Sequence, residues 1–154
     1  MLSPLNAKDA DWLAALRAYL AVTAIANLIW EFLHLPLYTI WSTGSLKEQV
    51  FAVFHCTAGD VLIALAALAV ALIVVGSKAW PVESFVPVLS VALIIGVGYT
   101  IFSEWLNIVV RASWTYSSLM PIVPVTKVGL SPLLQWIVIP TIAFQAARRV
   151  AGGR

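Results

Sequence analysis

Two stripes of polar residues run through an otherwise apolar chain. Thr23, Asn27, Glu31, His34 and Tyr38 are spaced so that they share one face of a helix. Thr100, Glu104, Asn107 and Arg111 form a second such stripe. His55, Cys56 and Asp60 make a third polar group between them. Residues of these types support three chemistries. In the first, Glu31 and Glu104 form a carboxylate pair in a poorly solvated site, one the general acid and the other the base, with His34 or His55 shuttling protons. Asn27, Asp60, Asn107, Arg111, Trp114 and Tyr116 would then contact the substrate. Proton-transfer chemistry on a lipid or other apolar molecule, such as isomerisation or cyclisation, suits that set.

The second chemistry is metal or haem binding. Glu31-x-x-His34 places a carboxylate and an imidazole on one helix face, as in di-iron bundles. Such bundles need two copies, and the second here reads Glu104-x-x-Asn107, which disfavours a full di-iron site. A single transition metal on His34, His55, Glu31 and Glu104 remains open, as does a haem held by His34 and His55. The third is a proton- or cation-coupled carrier, which with so few helices would work as a homo-oligomer. The bland alternative is a self-satisfied polar network that holds helices together. Interhelical hydrogen bonds in membranes average only ~0.6 kcal/mol, a poor return for burying several ionisable groups, and intramembrane ionisable residues are functional by default.

The elements that must position these residues are membrane spans. The chain has 154 residues, 62% of them hydrophobic and 10% charged, with mean hydropathy +0.97. Soluble domains are about half apolar and a quarter charged, and a chain this short could not hide such an excess from water. Four apolar segments, at about 13–35, 50–75, 85–110 and 130–147, can each cross ~30 Å of hydrocarbon. Pro36 ends or kinks the first, and Pro132 and Pro140 lie in the fourth. The expected fold is an all-α, polytopic four-helix bundle in one transmembrane domain, 1–154. No basic n-region or cleavage site marks the first segment as a removable signal. With nine basic and seven acidic residues and no phosphate-cradling loop, nucleic acid is not an expected partner. Cys56, the lone cysteine, reads as a packing residue.

Topology fixes relative depth. The first span approaches one face of the membrane at His34, the second leaves that face just before His55, and the third returns to it after Asn107. Glu31, His34, His55, Asp60, Glu104 and Asn107 therefore fall in one leaflet. The face carrying both termini holds Lys8, Arg17, Lys78, Arg148, Arg149 and Arg154, and the other holds Lys47, Arg111 and Lys127. The positive-inside rule then puts both termini in the cytoplasm and the polar cluster in the outer leaflet; the compact loops are compatible with a bacterial inner membrane. Trp41, Trp80, Trp105 and Trp114 fall near span boundaries, as interfacial aromatics do. Asp60, Ala64, Ala67 and Ala71 share a small-residue face, and Gly96 and Gly98 are expected to permit close helix approach.

Residues 31–46 match 104–119 without a gap at an offset of 73, with five identities in sixteen positions. A tandem repeat of two-helix units would relate Glu31 to Glu104 by an axis along the membrane normal. Arg111 would counter Glu104 from one or two turns away, or snorkel. The connection 111–129 holds Trp114, Tyr116, Met120, Pro121 and Pro124 and is long enough to be a lid over the cluster or a re-entrant anchor.

Overall fold

The structure, a computed structural model, describes residues 7–76 and 79–152, with side chains from residue 12 onward. Lys78 and Arg154, two of the cations counted above, lie outside the described residues. Four long helices dominate: α1 (Ala7–His34), α3 (Leu46–Val75), α4 (Phe85–Trp105) and α5 (Leu130–Gly152). A one-turn helix, α2 (Ile40–Thr43), sits between α1 and α3. The four spans, including short extensions of α1 and α4, run over Trp12–Leu37, Leu46–Val75, Phe85–Val110 and Leu130–Gly152. At ~1.5 Å per residue even the shortest crosses ~30 Å of hydrocarbon.

The burial pattern is that of a membrane protein. Large apolar side chains such as Leu33, Leu62, Ile73 and Ile94 point outward, whereas Thr23, Asn27, Glu31, His34, Thr100, Glu104 and Gln135 are buried. A water-soluble bundle does the reverse. Together with the four spans, this makes the chain an integral membrane protein.

Local chemistry sets the ends. α3 starts at a capping box in which the Ser45 hydroxyl accepts from the Glu48 amide (3.3 Å) and Glu48 accepts from the Ser45 amide (2.8 Å). It ends at Gly76 in the left-handed region, φ 69°. α1 tightens into a 3-10 turn over Leu35–Leu37, with Pro36 near its start. α4 does the opposite and widens into a π turn over Leu106–Val110.

Around the bundle the order is α1, α3, α4, α5, each packed on the next and α5 back on α1, which sets α1 diagonally opposite α4. At the end of the bundle that carries both termini, Tyr19, Leu68, Trp80, Val88 and Phe144 form a close-packed core. Ala64, Ala67 and Ala71 are all buried, as their spacing predicts. Trp80 departs from its expected interfacial place. It is only 2% exposed and packs edge-on against Tyr19 and Phe144, with centroids 6.1 and 5.7 Å away. Trp41 and Trp105 are exposed as expected.

The two glycines of α4 also part company. Gly96 faces Trp136, whose six-membered ring would collide with an added Cβ, whereas nothing lies within 4 Å of one at Gly98. Gly96 alone lets the large indole of α5 meet the backbone of α4. Gly96→Ala is expected to destabilise the protein by about 1–3 kcal/mol through overpacking. Gly98→Ala should stay within about 0.5 kcal/mol of the parent. Thermal unfolding of both variants in one detergent checks this; equal midpoints would contradict it.

Candidate functional site

The α1 stripe forms as its spacing predicts: Thr23, Asn27, Glu31 and His34 are all buried. Its partners come mainly from the start of α5. Gln135 places its amide nitrogen 2.8 Å from Asn27 Oδ1, 3.0 Å from Glu31 Oε1 and 3.0 Å from Asp60 Oδ2. One side chain of α5 thus ties α1 to α3. One turn earlier, Ser131 Oγ lies 3.1 Å from His34 Nδ1 and accepts from Trp30 Nε1 at 3.2 Å. The other imidazole nitrogen, Nε2, meets Glu31 Oε2 at 3.1 Å. Trp30, Ser131, His34 and Glu31 therefore form one connected chain of hydrogen bonds, and both imidazole nitrogens of His34 are engaged.

Glu104 has a different surrounding. Two phenols donate to its Oε2, Tyr38 at 3.5 Å and Tyr116 through a short hydrogen bond. Tyr116 belongs to the connection between α4 and α5. Its hydroxyl also accepts from the Gly129 amide at 2.8 Å, and Met120 and Val128 bury beneath the same segment. Backbone pairing holds this segment against the end of α1, with the Thr39 amide on the Thr115 carbonyl and the Ser117 amide on the Leu37 carbonyl, both 2.9 Å. The segment is docked against the cluster by hydrogen bonds and buried apolar side chains. Tyr38 joins the two halves, because its ring also lies 5.3 Å from that of His34 and 5.5 Å from that of Tyr116.

A cleft of ≈ 1080 Å³ opens onto these groups. Its walls come from the end of α1 and the turn after it, from 47–63 of α3 and from 99–107 of α4, and Glu31, Asp60, Gln135 and Trp136 lie along it. Helices α3 and α4 meet through Ala64, Leu68, Val88 and Ala92 farther along. They are packed together toward the end of the bundle that carries the termini, and the cleft lies between them at the other end. Phe51 and Tyr99 line the cleft and, with Phe54 and Phe102, are exposed, which gives it apolar edges.

The sequence-predicted residues divide accordingly. Glu31, His34, Asp60 and Glu104 come together around the cleft, with Asn27 behind them. Trp114 also lines it, and among the described residues its Nε1 is buried without a hydrogen-bond partner. His55 lies at the cleft wall but is exposed and stacked on Phe51 at 5.4 Å. Asn107 lines the cleft while its amide turns back to the Ser103 carbonyl at 2.9 Å. Arg111 is exposed and makes no ion pair with Glu104. The π turn is the reason: its wider spacing breaks the register that would have stacked Arg111 above Glu104, and the chain leaves the helix at Arg111.

Gln135, Ser131 and Tyr38 are not among the predicted site residues. Gln135 does leave a signal, as the amide in the first, uncharged half of the fourth span. The donor set does not fit a metal or haem. Among the described residues no three His, Cys, Asp or Glu side chains converge on a point that could hold an ion. His34 has no free ring nitrogen for a haem iron and His55 stands apart from it. Against known proteins the chain matches no family model, no curated protein and no solved structure.

Burial, followed by the charge of Glu104, holds the Tyr38 phenol well above its ordinary 10.0. Burial and the hydrogen bond to Glu104 push Tyr116 up as well. The folded protein therefore keeps both protons where the unfolded chain would lose them, so this stabilisation is complete below pH ~10 and is lost as pH rises further. A phenolate absorbance titration should show two late phenols attributable to these residues. Tyr38→Phe and Tyr116→Phe should each remove one, and ionisation of either near pH 10 would contradict the arrangement.

Proposed function

We propose that this integral membrane protein is an enzyme that performs acid–base chemistry on a lipid or other apolar small molecule. The observation that carries this reading is the splayed, apolar-edged cleft, which exposes carboxyl groups on opposing walls. Glu31 and Asp60 lie on the α1–α3 side and Glu104 on the α4 side. A substrate entering between α3 and α4 would lie between an acid and a base. One carboxylate removes a proton from a carbon of the substrate while a carboxylic acid delivers one elsewhere on it. A double bond shifts or a ring closes, and no atom is gained or lost. His34 re-equilibrates the proton on the acid side, held in place by Ser131 and Glu31. Asn27, Asn107, Trp114 and Tyr116 shape the pocket. His55 and Arg111 serve at its entrance.

Two further expectations belong to the same reading. The tandem repeat is supported by the ring order, which sets the helices of Glu31 and Glu104 on one diagonal. The cationic residues favour cytoplasmic termini and hence an outer-leaflet cleft, in a membrane such as a bacterial inner membrane. A carrier would need a path through the other leaflet, where Tyr19, Trp80 and Phe144 close the bundle.

The test compares lipid extracts of host membranes making either the parent protein or Glu104→Gln, after growth in deuterated water. Acid–base turnover through solvent-exchanging carboxyls puts deuterium on carbon in a product of unchanged composition. Its formation should fall about 10²–10⁴-fold in Glu104→Gln. Indistinguishable extracts, with both proteins folded and at equal abundance, would sink the enzymatic reading.

A further inference from the structure

The orientations of the buried amides fix how many hydrogens the carboxyl groups can share. Asn27 Nδ2 donates to the Thr23 carbonyl at 2.8 Å. Its Oδ1 is therefore the end that faces Gln135, and the Gln135 atom 2.8 Å away must be the donor nitrogen. An amide nitrogen carries two hydrogens. One serves Asn27, which leaves one for both Glu31 Oε1 and Asp60 Oδ2, each 3.0 Å away. The other oxygen of Glu31 meets His34 Nε2 at 3.1 Å, a donor in the tautomer that carries its hydrogen there. The polarity behind it is consistent: Trp30 can only donate to Ser131, whose hydroxyl hydrogen is then free for His34 Nδ1. Among the described residues Glu31 thus has a partner at both oxygens, and Asp60 has only a share of one hydrogen.

Two carboxyl oxygens 3.0 Å from one nitrogen are no more than about 6 Å apart, and like charges that close disfavour double ionisation. The groups facing Asp60 offer little relief. They are Glu31 and His34 from α1, Glu104 from α4, Gln135 from α5 and Cys56 on its own helix. Lys47, at the start of α3, is the one lysine or arginine along the cleft among the described residues.

We infer that Asp60 is the proton donor of the site, holding one proton between itself and Glu31, with Gln135 as the positioning residue that leaves this carboxyl short of a hydrogen. The inference rests on the acid–base reading above and divides the work within it. Asp60 is the acid, and Glu104, already supplied by two phenols, is the base.

Infrared spectroscopy of the full chain in detergent tests this through the deuterium-sensitive carbonyl band of a neutral carboxyl group. At neutral pH the band should be present in the parent protein and in Glu104→Gln, and absent in Asp60→Asn. Gln135→Met removes the shared hydrogen and should move the band's titration midpoint up by about one pH unit, a tenfold tighter hold. The alkaline limb of the pH–rate profile should move with it. Should Asp60→Asn fail to fold, Glu31→Gln reports the same point. It sets a new amide donor beside Asp60, and the midpoint should fall. No band at neutral pH, a band that survives Asp60→Asn, a midpoint unmoved by Glu31→Gln, or a limb that stays while the band moves would each overturn the inference. A band that behaves as described in a protein with no turnover would support the assignment of the proton and sink the enzymatic reading alone.

Discussion

Placing carboxyl groups in hydrocarbon is the constraint on which the rest of the structure depends. A charged side chain at the centre of a span costs about 2.5–3.5 kcal/mol even by insertion measurements, and an unpaired buried polar group costs more than a satisfied one returns. Every feature near the cluster bears on that cost. Gln135 reaches three acceptors from a third helix, Ser131 and Trp30 back His34, and two phenols cover Glu104. α5 supplies the donors for one wall and the α4–α5 connection supplies one for the other. Their positions follow from the need to meet acceptors on α1, α3 and α4.

The same constraint shapes the helices. Small residues let α3 and α4 pack closely toward one end of the bundle, and Gly96 lets Trp136 lie against the α4 backbone. Past that point the side chains along the gap become more polar, from Ile63 and Thr100 to Asp60 and Glu104, where the cleft opens. The close-packed half makes the splay tolerable, because a bundle open along its whole length would have no core. The polar half is then free to remain accessible, with the Tyr116 segment pinned across one side.

Much of this is legible in the chain. The four spans, the meeting of the cluster at one end of the bundle and the burial of the α1 stripe follow from hydropathy and helical periodicity, which act over many residues and survive local irregularity. The α4 stripe is legible only as far as Glu104. Beyond it a π turn changes the pitch, and no periodicity argument anticipates that, so helical spacing puts Arg111 over a carboxylate it does not reach. Trp80 departs from expectation for a related reason. Nearness to a span boundary does not say whether an indole turns outward to the interface or inward beneath Tyr19 and Phe144. Gln135 and Ser131 escape a search for ionisable groups because they are neutral donors, although in hydrocarbon neutral donors decide where ionisable groups can stand.

That asymmetry bears on what the cluster is for. Were the polar residues only an adhesive between helices, amides and hydroxyls would serve as well as carboxyls, without the desolvation cost, at a typical return of ~0.6 kcal/mol per interhelical hydrogen bond. The chain does join its helices with neutral groups. Asn27 and Gln135 bond across α1 and α5, and Tyr19 donates to the Ala64 carbonyl across α1 and α3. The carboxyls lie where the cleft opens, and Gln135 ties Glu31 and Asp60 into the same network. Holding ionisable groups beside a cleft lowers stability, a cost that an adhesive role alone would not require and that the proposed acid–base role accounts for.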